Sequence, residues 1–137
     1  MDIITSQNPH LLAWASARLG VSWPADQVRW ICGFGADSPV FVVVYSRFSH
    51  RNCELTIATD GTRRWATRRA LRAIFRVPFE QWGLRRVTFV VRSDNAASID
   101  LCERLGAVHE GRVRRAFADD VDGVVMGMLA EECTWTA

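Results

Sequence analysis

The sequence predicts an α/β fold with one mixed sheet and helices packed on its faces. Three observations carry that expectation. The elements read in the order β–α–β–β–β–α–β–α–β–β, which calls for a layered mixed sheet. Val87 to Val91 is an apolar β run interrupted only by Thr88, as expected of a strand covered on both faces. From Arg63 to Trp82, the residues Ala66, Ala70, Leu71, Ile74, Phe75, Phe79 and Trp82 fall on one stripe of a long helix. A chain of 137 residues suits one domain, 1–137, with a real core.

Local signals place the remaining elements. Asp2 to Thr5 reads as a short first strand. Asn8-Pro9 is an N-cap with proline at the first helical position, and Leu11, Leu12, Ala15 and Leu19 recur at helical spacing before Gly20 stops the helix. Val28 to Gly35 and Val40 to Phe48 are strands joined by Ala36-Asp37-Ser38-Pro39. Cys53 to Thr59 alternates as a strand and ends at Asp60-Gly61. Pro78 removes a backbone donor and should kink the long helix, which Gly83 closes. A further helix runs from Ala96 to Leu105, capped by Ser93, Asp94 or Asn95 and stopped by Gly106. Two last strands, Ala107 to Phe117 and Val124 to Ala130, flank the acidic turn Asp119 to Gly123.

Composition narrows the function classes. Hydrophobic residues make up 49% and charged residues 23%, which argues against disorder. The longest apolar run, Val40 to Tyr45, is too short to cross a membrane. The first cationic residue is Arg18, so a secretory signal is not expected. Cys32, Cys53, Cys102 and Cys133 are widely spaced, and His10, His50 and His109 show no ligand spacing. We therefore expect a reducing, cytoplasmic setting with no metal.

Charge is uneven. All 17 basic residues are Arg, and nine of them lie between Gly61 and Arg92 against the single acid Glu80. Five acids and no base lie between Asp119 and Glu132. Arg64, Arg68 and Arg72 share a face at i, i+4, i+8 spacing. A solvated helix face explains such a run, and a phosphorylated ligand or an acidic protein explains it as well. Nucleic acid ranks last, because no binding motif accompanies the Arg face.

One stretch is specific. Asn95-Ala-Ala-Ser98-Ile-Asp-Leu101-Cys102-Glu-Arg-Leu-Gly106-Ala107-Val-His-Glu110-Gly111 resembles the strand–Asn–helix–Leu-Gly module of the GNAT superfamily of acyl-CoA N-acyltransferases. Arg69-Ala-Leu-Arg-Ala-Ile-Phe and Phe79-Glu-Gln-Trp-Gly83-Leu-Arg-Arg-Val87 are similar to the branch that acetylates protein N-termini. The resemblance spans about residues 53 to 130. It implies a mainly antiparallel mixed sheet of six to seven strands. It also implies acetyl-CoA as co-substrate, an amine-bearing protein or small molecule as acceptor, and direct attack in a ternary complex.

The resemblance also assigns roles. The family opens its long helix with a glycine-containing loop that cradles the CoA pyrophosphate on exposed amides. Aligned on Ala70-Leu71, that loop is Thr62-Arg63-Arg64-Trp65-Ala66-Thr67, with Trp65 and Thr67 where the family has glycines. Trp65 would fill the phosphate site, while Arg63, Arg64 and Arg68 would restore charge. Glu54 is the implied general base, and amides of Ile57, Ala58 and Thr59 would hold the thioester oxygen. Cys102 stands where the family often has the Tyr that protonates the leaving thiolate, and Ser98 is a second donor. Asn95 would cap its helix or bind the pantetheine amide. The loop and Gly106-Ala107-Val108 are also similar to small inactive GNAT-like proteins of tailed phages. That likeness implies a virion component held by protein assembly partners.

Overall fold

The computed structural model describes every residue from Met1 to Ala137. Seven strands form one sheet in the order β1-β2-β3-β4-β5-β7-β6. These are β1 (Asp2–Ile4), β2 (Arg29–Phe34), β3 (Pro39–Ser46), β4 (Asn52–Thr59), β5 (Arg86–Arg92), β6 (Val108–Ala118) and β7 (Val121–Leu129). Three helices accompany them: α1 (Pro9–Leu19), α2 (Arg68–Arg76) and α3 (Ala96–Leu105). Only β4 and β5 pair in parallel. The expected mixed, mainly antiparallel sheet with helices on both faces is what the chain forms.

The strand alternation sorts side chains onto two faces. Ile31, Phe41, Val43, Tyr45, Cys53, Leu55, Val87 and Phe89 meet α2 and α3 in one apolar cluster. Trp30, Cys32, Val42, Val44 and Ala58 meet Leu11, Leu12 and Ala15 of α1 in a second, smaller cluster. Beyond α1, the second face of β4, β5 and β7 has no helix over it. That open area is where the candidate site lies.

Helix ends follow local chemistry. Asn8 Oδ1 accepts from the His10 amide at 2.9 Å, and Gly20 closes α1 at φ +65°. Of the three candidate caps for α3 the structure uses Asn95, whose Oδ1 accepts from the Ser98 amide at 3.1 Å. Asp94 instead pairs with Arg92, and Ser93 Oγ accepts from the Asp122 amide.

The long helix expected from Arg63 to Trp82 is a correction. Its α-helical part begins at Arg68, because Thr67 is extended and its hydroxyl accepts from the Ala70 amide at 3.1 Å. Residues 61–66 are a loop, so Ala66 and Arg64 lie off the helix and Ala66 is exposed. Pro78 does not simply kink the helix. Val77–Gln81 widens into a π-helical turn, closed by the Trp82 amide on Val77 O at 3.1 Å. The wider turn rotates the residues C-terminal to it. Trp82 leaves the buried stripe and lies edge-on to Tyr45 and Phe48, with ring centroids 5.2 and 5.3 Å away. The acidic turn is also shorter than expected, since β7 already begins at Val121.

Candidate functional site

β4 and β5 pair only through Asn52–Arg86, Cys53–Val87 and Glu54–Thr88. Beyond Glu54 the two strands part, while β4 stays paired to β3 as far as Thr59. Backbone polar groups alternate sides along an antiparallel strand. The Asp60 amide donates to Val40 O on β3. By that alternation the amides of Ile57 and Thr59 point away from β3, toward the gap left by β5. The Ala58 amide points to β3 and its side chain is buried against α1. Of the three expected oxyanion donors, Ile57 and Thr59 thus turn their amides to the gap, and Ala58 turns its amide to β3.

A cleft of about 1340 Å³ opens on the second face where the strands part. Glu54, Thr56 and Val90 form its floor, and the segment from Val21 to Arg29 forms one wall. The 3-10 turn Ala25–Gln27 holds Asp26 in that wall. Ser46, Arg47, Phe48 and Trp82 form a second wall. The β6–β7 hairpin supplies a third through Val113, Ala116 and Phe117. A register shift between Val113 and Ala118, with Arg115 at φ +56°, turns this part of β6 toward the cleft. Asp122 anchors the bend by accepting from the Arg115 amide at 2.8 Å and from Arg112 Nε at 2.6 Å.

Glu54 is half-buried in this cleft. Desolvation pushes its carboxyl above the ordinary carboxylate range, and Arg47, with Nε 3.5 Å from Oε2, only partly opposes that. A carboxylate of raised pKa beside an open cleft suits general-base work.

The other expected residues lie elsewhere. Trp65 is buried in the main core, its ring 6.2 Å from Phe41. Burying its indole against Phe41 of β3 removes apolar area from water. Thr67 is the α2 cap, and Ala66 is an exposed loop residue. Thr62 and Arg64 are engaged at the surface by Asp60, which accepts from the Thr62 amide at 2.9 Å, the Thr62 hydroxyl at 2.6 Å and Arg64 Nη2 at 2.7 Å. These bonds hold the Asp60 carboxyl down at about 2. Arg63 and Arg68 have no ion-pair partner, and both are exposed beside the first turn of α2.

Cys102 is a core residue of α3, and burial pushes its thiol up to about 11. A thiol that holds its proton so firmly is a poor acid toward a leaving thiolate of ordinary pKa, about 8.5. Ser98 is half-buried on the first turn of α3, and Asn95 is exposed with its amide nitrogen free of protein partners. None of these three lines the cleft. Sequence reasoning missed the walls: Trp23, Asp26, Arg29, Phe48, Trp82 and Phe117. The sequence reading had placed Phe48 in the strand from Val40 and Trp82 on the helix stripe, so neither was marked as a wall residue.

No family model matches the sequence, and no curated protein matches it. Solved structures do match in fold. The spermidine/spermine N-acetyltransferase SpeG from Vibrio cholerae, in mutant forms, superposes with TM-score 0.77 at 16% identity, covering 95% of each chain. A chimera of that enzyme and hSSAT gives TM-score 0.76 at 16% identity, covering 96% of this chain and 98% of the other. The dodecameric spermidine N-acetyltransferase from Vibrio cholerae in an intermediate state gives TM-score 0.77 at 16% identity, covering 95% of this chain and 94% of the other. The strand order, the parting of β4 from β5 and these superpositions together show that the chain has the GNAT fold.

Proposed function

We propose that the protein is an N-acetyltransferase that moves the acetyl group of acetyl-CoA to a primary amine. The observation that carries this reading is Glu54, a carboxyl of raised pKa set at the point where β4 and β5 part and facing an open cleft. The similar structures are named as N-acetyltransferases, which supports the same reaction class. Their names lend no support to a virion role.

In this reading the acceptor enters from the cleft and the thioester from the gap between the strands. Acetyl-CoA supplies an activated carbonyl. The amine nitrogen bonds to that carbon, the carbon–sulfur bond breaks, and the amine proton passes to the Glu54 carboxylate. The proton returns to the departing thiolate from Glu54 or solvent. The amides of Ile57 and Thr59 are the donors for the thioester oxygen. Cys102 has no part in this reading, and Ser98 is the remaining side-chain donor for the thiolate. Asn95 offers its free amide nitrogen to the pantetheine arm. The Arg63 and Arg68 side chains and the amides of Arg68 and Arg69, ahead of the capped Ala70 amide, are the groups available to the pyrophosphate.

The loop is also what favours an alternative, an inactive GNAT scaffold, because Asp60 already occupies donors of Thr62 and Arg64. Calorimetric titration with acetyl-CoA separates the two. The transferase reading expects binding at micromolar strength, about 8 kcal/mol. No binding at millimolar acetyl-CoA would leave only the scaffold.

A further inference from the structure

The exposed apolar surface of this molecule is not scattered. Nine large hydrophobic residues are exposed, and five of them line the one cleft: Val21, Phe48, Trp82, Val113 and Phe117. Trp23 and Val90 add half-buried apolar surface. A collected patch of this kind marks a binding surface, whereas isolated exposed residues do not.

The charge in the cleft is balanced. Asp26 and Glu54 contribute two negative groups, Arg29 and Arg47 two positive ones. Arg47 is already paired with Glu54, and Arg29 donates to Val28 O at 2.9 Å. Asp26 is the one cleft carboxylate with no ion-pair partner. A ligand with several ammonium groups would set its outer charges against two guanidinium groups. A ligand with one ammonium group presents it at Glu54 and lays its apolar body against Trp23, Phe48, Trp82 and Phe117, with no second charge to set against the guanidinium groups.

We infer that the cleft accepts a singly charged primary amine carried on an aromatic-sized apolar body, and that it discriminates against polyamines. This rests on the acetyl-transfer reading of the same cleft. A free arylalkylamine and a peptide N-terminus beginning with a bulky apolar residue share the chemistry.

The test compares 2-phenylethylamine, Phe-Gly-Gly amide and spermidine as acceptors with acetyl-CoA, following release of free CoA thiol. In parallel, each amine is titrated calorimetrically into the protein alone. The inference expects kcat/KM at least tenfold higher for one of the two phenyl-bearing amines than for spermidine, the higher of the two identifying the source. Phe117→Ser and Phe48→Ser, both at exposed positions, should each shrink that ratio several-fold. Spermidine acetylated as well as or better than both phenyl-bearing amines would overturn the inference and leave acetyl transfer standing. If no amine releases thiol, the acetyl-transfer reading fails and the titrations decide the ligand. Tighter binding of a phenyl-bearing amine than of spermidine, weakened by Phe117→Ser, upholds the inference; equal or absent binding overturns it.

Discussion

The two faces of the sheet are built from the same alternating strands and end in opposite conditions. On one face α2 and α3 cover strands β3, β4, β5 and β7, and residues such as Phe41, Ile74, Phe75, Val87 and Met126 are sealed from water. On the other, α1 covers only β2, β3 and Ala58 of β4. Beyond it lie Glu54, Thr56 and Val90, with exposed aromatic residues around them. The closed face buries apolar area and holds the fold together. The open face leaves Asp26 without an ion-pair partner and leaves Phe48, Trp82 and Phe117 partly exposed to a ligand. Stability is therefore concentrated on the first face and the candidate site on the second.

Substitutions separate the two faces. On the closed face, Phe75→Ala removes a fully buried ring that stacks on Phe79 at 6.3 Å. It should cost about 3–5 kcal/mol, measured by denaturant unfolding. Trp65→Gly should also destabilise by about 3–5 kcal/mol, because its ring belongs to the core. At the seam between the faces, a Cβ on Gly123 would lie 2.9 Å from Val90 Cγ1 and 3.1 Å from Ala116 Cβ. Gly123→Val should therefore push the hairpin off the cleft and cost about 1–3 kcal/mol. A lower unfolding midpoint together with weaker amine binding would show both effects.

The pH dependence of stability has opposite signs at two carboxyls. Glu54 has a raised folded pKa, so the folded state holds its proton longer than the unfolded chain does. Its contribution is fully present below about pH 4 and declines as pH rises through the folded value. Glu54→Gln should flatten that decline. Asp60 has a folded pKa lowered to about 2, so its contribution is present above the unfolded value and is lost as pH falls toward that figure. The stability difference between the protein and Asp60→Asn should vanish near the acid end of the titration. The smallest effect belongs to the exposed Arg76–Glu80 pair that links the end of α2 to the π-helical turn, where Arg76→Gln should cost about 0.3–0.5 kcal/mol.

What could be read from sequence was whatever local chemistry decides. Asn8, Asn95, Gly20 and Gly106 mark the helix ends they were expected to mark, because a cap needs only its own first or last turn. Val87 to Val91 is a central strand, but it is not covered on both faces as its apolar run implied: Val87 and Phe89 are buried, while Thr88 and Val90 stay half-buried on the open face. The misreadings arose where distant contacts compete with a local pattern. The apolar spacing from Ala66 onward fitted a helix, yet the Thr67 cap and the burial of Trp65 against Phe41 start it later. Pro78 announced a disturbance without its form, and only the π-turn explains why Trp82 reaches Phe48. Of the site, Glu54 was legible through its strand and the family resemblance. The walls were not, because they come from the α1–β2 segment, the end of β3, the end of the π-turn and the β6 bulge, brought together only by the fold.

The proposed chemistry turns on Glu54 in the open-face cleft taking the acceptor's proton during acetyl transfer. The decisive measurement is kcat/KM against pH for CoA thiol release, with 2-phenylethylamine and acetyl-CoA, in the protein and in Glu54→Gln. A loss on the order of 10²-fold is expected in Glu54→Gln. The parent's profile should also carry an acid limb, displaced upward from the ordinary carboxylate range and absent from the variant. Equal rates in the two proteins, with the same pH limb in both, would contradict a proton-accepting role for Glu54.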